Sequence, residues 1–105
     1  MIATPVIAIF DVGKTNKKLL LFDERYNLVH EESIRIPETT DEDGFDSEDV
    51  YMLTQWVYSS FSKILKQPQF DIRAVNFSGY GASFVHLGKD KKICAPLYNY
   101  LKPFP

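Results

Sequence analysis

Asp11, Gly13, Thr15, Asn16 and Lys18 crowd into one short stretch, DVGKTNKK, between two apolar runs. They bring together a carboxylate, a tight turn with free backbone N–H groups, a hydroxyl, an amide and positive charge. Those are the groups that hold a phosphate: amides and short side chains donate to its oxygens, and an ammonium balances its charge. A carboxylate beside them suits a water molecule on a hydrated divalent cation. Lys14 and Lys17 add charge to the same bend. A second group of polar residues, Ser78, Tyr80 and Ser83 in SGYGAS, lies around Gly79 and Gly81. By residue type alone it reads as a glycine-rich bend at the end of a strand.

The first bend admits two other readings. Gly13-Lys14-Thr15 resembles the end of a Walker A loop, but the first glycine of that pattern falls on Ala8. The residues after Thr15 are also strand-like rather than the start of a helix, and a P-loop needs that helix N-terminus. The other reading is an ordinary hairpin turn whose lysines are merely solvated.

The elements that must position these residues follow from apolar periodicity. Val6–Phe10 is a continuous apolar run, the pattern of a strand buried on both faces. Gly13–Asn16 supplies turn chemistry, and Lys18–Phe22 is the returning strand. A turn over Glu24–Asn27 leads to a more polar strand, Leu28–Ile36, ended by Pro37. The acidic stretch Glu38–Asp46 reads as a surface loop. Asp46 or Ser47 then caps a helix over about 47–66, with Glu48 and Asp49 suited to its N-terminal end. Val50, Leu53, Trp56, Val57, Phe61, Ile64 and Leu65 recur at helical spacing and make one apolar face. Ile72–Phe77 is the next strand, parallel to its neighbour, and Ser78–Gly81 breaks it. Ser83–Leu87 and Lys92–Pro96 bracket a hairpin turn at Gly88–Lys91. The order is β-β-β-α-β followed by a small hairpin.

Composition bounds the function. The chain has 105 residues and a net charge of -2, so no global field attracts nucleic acid or an anionic membrane. No segment has the roughly 20 apolar residues that span a bilayer. The single cysteine, Cys94, forms no internal disulfide, reads as a small buried hydrophobe and fits a reducing, cytoplasmic setting. His30 and His86 have no partner at metal-ligand spacing, which argues against zinc. Asp41-Glu42-Asp43 lacks the calcium-loop alternation and reads as a solvated loop. The ending YNYLKPFP has no closing element, and the chain is expected to be the beginning of a longer protein.

FDVGKTNKKLLLFD resembles the first phosphate motif of the sugar-kinase, Hsc70 and actin superfamily, and most of all that of the FGGY carbohydrate kinases. The stretch IRAVNFSGYGASFVHLGKDKKICAPLYNYLKP resembles the part of that family whose turns line the sugar site. The resemblance implies an α/β, RNase H-like (actin-like ATPase) N-terminal half-domain, here residues 1–105 and incomplete. It implies transfer of the γ-phosphoryl group of ATP to a sugar or polyol hydroxyl, in a cleft completed by a second domain. Asp11 would sit near Mg²⁺ through water. Gly13, Thr15, Asn16 and Lys18 would face the phosphates, and Ser78, Tyr80 and Ser83 the sugar. Tyr80 could stack on a sugar and bond one of its hydroxyls. Lys14 and Lys17 depart from the family pattern. Tyr98-Asn99-Tyr100-Leu101-Lys102 stands where the family has an aromatic-Asp-Arg motif. The catalytic base lies beyond these 105 residues, so the isolated chain is expected to be inactive. The alternative is a non-catalytic binding or assembly module built on the same half-fold. A parent reading frame that continues for several hundred residues favours the kinase.

Overall fold

The computed structural model describes residues 2–103. Its main sheet holds β1 (Thr4–Val12), β2 (Lys17–Phe22), β3 (Leu28–Ile34) and β6 (Phe70–Gly79), in the order β3-β2-β1-β6. The first three strands form an antiparallel meander, and β6 runs parallel to β1. The parallel return is possible because one helix, α1 (Val50–Leu65), carries the chain back along the sheet. The expected β-β-β-α-β order is therefore present.

Alternation places the core. Val6, Ala8 and Phe10 of β1 and Leu19 and Leu21 of β2 point to one face and are buried with Ile64 of α1. Trp56, Val57 and Phe61 of the helix and Phe70 and Ile72 of β6 pack around them, as the helical spacing predicts for the first three. The Phe10 ring meets Trp56 edge-on at 5.7 Å and stacks on Phe77 at 5.2 Å. Burial on both faces of β1 is not observed. Ile7 is 37% exposed, because α1 covers one face of the sheet only. Leu65 is also exposed and lies off the helix's apolar stripe. The one-sided cover makes the chain flat. Its radius of gyration, 16.2 Å, exceeds the roughly 13 Å of a compact domain this long.

The helix starts later than its sequence suggests. Asp46–Glu48 is a short strand, β5, paired with β4 (Thr39–Thr40) on one side and β7 (Leu97–Tyr98) on the other. That pairing removes Asp46 and Ser47 from the cap, and Asp49 takes the role, accepting from the Met52 amide at 3.1 Å. An Asp49→Ala change is expected to cost about 1 kcal/mol. It should lower the unfolding midpoint of this domain by about 4–8 °C, read from the helical circular-dichroism signal.

Four further expectations are corrected. The acidic segment is not simply a solvated loop: it contains β4, and Asp41 is buried. Strand β6 continues through Ser78 and Gly79, which pair with Asp11 and Val12, so the break comes only at Tyr80. The turn at Gly88–Lys91 is present, with the Gly88 amide donating to the Lys92 carbonyl at 2.8 Å. Its flanks, however, meet in a single bridge, Leu87–Ile93, rather than as two strands. Cys94, expected to be buried, is exposed, because no sheet forms there to cover it.

Candidate functional site

The bend between β1 and β2 closes through one short bond, from the Gly13 amide to the Asn16 carbonyl at 3.0 Å. A Cβ on Gly13 would lie 2.6 Å from that carbonyl oxygen, so close approach demands glycine here. Thr15 and Asn16 are exposed, and their side chains form no hydrogen bond among the described residues. The bend thus offers a free hydroxyl and a free amide to solvent. Beside it lies a cavity of about 270 Å³ lined by Lys14, Thr15, Arg35, Glu38 and Asp46. Arg35 carries no signal in the sequence, where it is a single basic residue in a polar strand.

Cross-strand register builds the floor of the site. Asp11 is opposite Lys18 on β2 and Ser78 on β6, so the three stand in one row on the face turned away from α1. Lys18 reaches Glu31 on β3 at 3.6 Å, with both side chains near the surface. Asp11 enters no ion pair among the described residues. The sequence singled out Asp11, Lys18 and Ser78 separately, and the fold brings them side by side.

Lys17 behaves differently from the solvated lysine of a hairpin turn. It is the first residue of β2, on the core side with Leu19 and Leu21, and it is 1% exposed. Its Nζ lies 3.2 Å from Glu48 Oε2 and donates to the Lys14 carbonyl at 3.3 Å. The other oxygen of Glu48 accepts from the Tyr80 hydroxyl at 2.7 Å. Burial, reinforced by this carboxylate, pushes the Tyr80 hydroxyl well above the usual phenol range. Tyr80 and Ser83 share a cavity of about 170 Å³ with Lys17, Glu48, Gly79 and Val12. The Ser83 hydroxyl is buried there with no hydrogen-bond partner within bonding geometry among the described residues.

Lys14 donates to Glu38 Oε1 at 2.9 Å and lies 3.9 Å from Glu48. The Glu38 carboxylate raises the Lys14 ammonium above its ordinary value, and Lys14 in turn holds Glu38 below the usual carboxylate range. Asn99 Nδ2 donates to the second Glu38 oxygen at 3.2 Å.

Lys102 is locked in place. Its ammonium lies 2.7 Å from Asp41 and 3.0 Å from Asp43, with the Tyr98 ring centroid 4.5 Å away. Burial alone would raise the Asp41 carboxyl. Lys102 and the amides of Asp43 and Phe45 outweigh it and hold the group below its usual range. Tyr100 turns its ring toward Tyr80, 6.0 Å between centroids.

Sequence and fold comparisons agree on what this arrangement is similar to. Residues 6–101 match the N-terminal domain of the FGGY family of carbohydrate kinases. The fold matches a ligand-bound xylulose kinase from Lactobacillus acidophilus with a TM-score of 0.74 and 24% identity, over 88% of this chain and 19% of that one. It matches a gluconate kinase from the same organism with a TM-score of 0.74 and 25% identity, over 90% and 19%. A Plasmodium falciparum glycerol kinase with ADP matches with a TM-score of 0.70 and 20% identity, over 92% and 20%. The chain spans about a fifth of the length of each. No curated protein matches it in sequence.

Proposed function

The chain belongs to the FGGY family of carbohydrate kinases, and from that membership we propose that it is the first part of domain I of an ATP-dependent kinase acting on a sugar or polyol. The observation that carries this reading is the bend at 13–16. It is closed tightly enough to exclude a Cβ at Gly13, it keeps the Thr15 and Asn16 side chains free, and it adjoins the unpaired carboxylate of Asp11.

The donor set fits magnesium-bound ATP. Mg²⁺ is bound through one or two carboxylates and phosphate oxygens, keeping several waters. One carboxylate on a rigid central strand therefore suits it. Asp11 would hold the hydrated ion, and the bend amides with Thr15, Asn16 and Lys18 would hold the phosphates. The bound nucleotide would supply the phosphoryl group and neutralise charge as that group moves. Lys18 is held by Glu31 near the surface and can swing toward an anion at little cost, since such pairs are weak. Ser78, Tyr80 and Ser83 would meet the acceptor. The Tyr80 hydroxyl is engaged by Glu48, so its ring face is the surface left for a sugar. The general base lies outside these residues, and the isolated chain should turn over no ATP. Among the described residues no helix is long and apolar enough to cross a membrane. The lone Cys94, which forms no disulfide within these residues, supports placing the enzyme in the reducing cytoplasm.

The test is a thermal-shift screen of the full-length protein against ketoses and polyols, with and without Mg-ATP. A ligand at 100 times its Kd stabilises by about 2.7 kcal/mol, a readily measured shift. A shift with both ligands, followed by sugar-dependent ADP release, is the expected result. No shift with Mg-ATP would remove the reading. Gly13→Ala should raise the KM for Mg-ATP about tenfold, because forcing a methyl against the Asn16 carbonyl costs on the order of 1–3 kcal/mol.

One observation favours a non-catalytic module instead. Among the described residues β6 has no partner on its outer side, and Val75 and Phe77 on it are exposed. Concentration-dependent self-association of the isolated chain, with no nucleotide binding by the full-length protein, would support that reading.

A further inference from the structure

We propose that Glu48 and Glu38 are positioning residues that tie the phosphate bend to the acceptor side of the cleft, through the bridges Lys17–Glu48–Tyr80 and Lys14–Glu38–Asn99. The proposal rests on the kinase reading above, and it assigns a role to the two lysines that depart from the family pattern.

The geometry is the same in both bridges. Each glutamate gives one oxygen to a lysine of the bend and the other to a residue far along the chain. Glu48 takes Lys17 at 3.2 Å and Tyr80 at 2.7 Å. Glu38 takes Lys14 at 2.9 Å and Asn99 at 3.2 Å. The two bridges touch, since Lys14 Nζ also lies 3.9 Å from Glu48. Lys14 and Lys17 flank Thr15 and Asn16, so both ends of the exposed part of the bend are anchored. Tyr80 follows β6 and Asn99 follows β7, and the ring of Tyr100 beside Asn99 lies against Tyr80. One carboxylate pair therefore gathers the bend, the end of β6 and the segment after β7.

Both lysines are engaged by carboxylates in this arrangement. Lys17 is buried and Lys14 is paired with Glu38. What they transmit is position. The Lys17–Glu48 pair is withdrawn from water, where a hydrogen bond is stronger and a misplaced partner costs more. A shift of the bend would displace Lys17, and Glu48 would carry that displacement to the Tyr80 hydroxyl. The cavity that Lys17, Glu48, Tyr80 and Ser83 share gives the ring somewhere to move. By linkage, whatever the acceptor side does to nucleotide affinity, the nucleotide does to acceptor affinity by the same factor.

The experiment uses Mg-ADP as probe and the full-length protein, with Kd measured by calorimetry in wild type, Tyr80→Phe, Glu48→Gln and the double variant. Tyr80 lies on the acceptor side, yet Tyr80→Phe is expected to weaken Mg-ADP at least threefold. Glu48→Gln should do the same, and the double variant should be no weaker than Glu48→Gln alone. In an ultraviolet titration, Glu48→Gln should move one tyrosine down toward the ordinary range without reaching it, since burial remains, and that movement should vanish in the Tyr80→Phe background. A purely structural role would lower Tm and leave the Mg-ADP Kd unchanged, and that result overturns the proposal. Additive losses in the double variant overturn it as well. Tyr80→Phe removes a single oxygen, so it decides the matter even if Glu48→Gln does not fold. Failure of wild type to bind Mg-ADP is a separate outcome: it removes the kinase reading, and the proposal with it.

Discussion

Asp11→Asn in the full-length protein is expected to lower kcat by at least about 100-fold, with the Tm essentially unchanged. Asparagine keeps the shape of the side chain and removes its charge. Asp11 enters no ion pair among the described residues, so its carboxylate supports no partner that the substitution would strand. It sits on β1, the strand flanked by β2 and β6, and is held by pairing with Lys18 on one side and Ser78 on the other. A carboxylate fixed on a strand between two neighbours needs little reorganisation to meet a hydrated cation. Removing one preorganised electrostatic contact from a reacting site typically costs 10²–10³ in kcat. The measurement is steady-state turnover at saturating Mg-ATP and sugar, with a thermal melt as control. Turnover within a factor of three of wild type would take Asp11 out of the metal role.

How much of this site was legible depends on the distance between partners. The bend was readable because its chemistry is local: Gly13, Thr15 and Asn16 lie between two apolar runs, and the hydrogen bond that closes it spans three residues. The succession of the main-sheet strands and the helix is legible because the meander connections are short and one strongly amphipathic helix precedes the parallel strand, whereas the two- and three-residue strands β4, β5 and β7 are too short to show a period. The facing of the lysines is not legible. Strand β2 begins at Lys17 rather than Lys18, and alternation then turns Lys17 into the core and Lys18 outward. Glu48 is hidden for a different reason. Next to a helix start, an acidic residue looks like a complement to the helix dipole. Its actual partners, Lys17 and Tyr80, lie 31 and 32 residues away in sequence, where no periodicity reports them. Asp41 is the same case: its neighbours suggest a solvated loop, and only the fold brings Lys102 against it. Tertiary ion pairs are the part of a site that pattern reading misses, because nothing local requires the two charges to meet.

The most buried of these pairs is Lys17–Glu48. Lys17→Met is expected to destabilise this domain by about 3 kcal/mol, since removing one member of a buried ion pair strands the other and typically costs 3–5 kcal/mol. Methionine approximates the apolar stem of lysine, so the packing beside Leu19 and Leu21 is largely kept and the lost charge dominates. Glu48 is 4% exposed and would retain the Tyr80 hydroxyl and the more distant Lys14, which places the cost at the lower end of the range. At about 4–8 °C per kcal/mol for a domain of this size, the midpoint should fall by roughly 12–24 °C. Adding Glu48→Gln removes the stranded charge, and the double variant should recover at least half of that loss. The non-additivity separates charge burial from lost packing, because packing alone would make the two changes add. A Lys17→Met midpoint within about 3 °C of wild type would mean that Lys17 does not lie buried against Glu48.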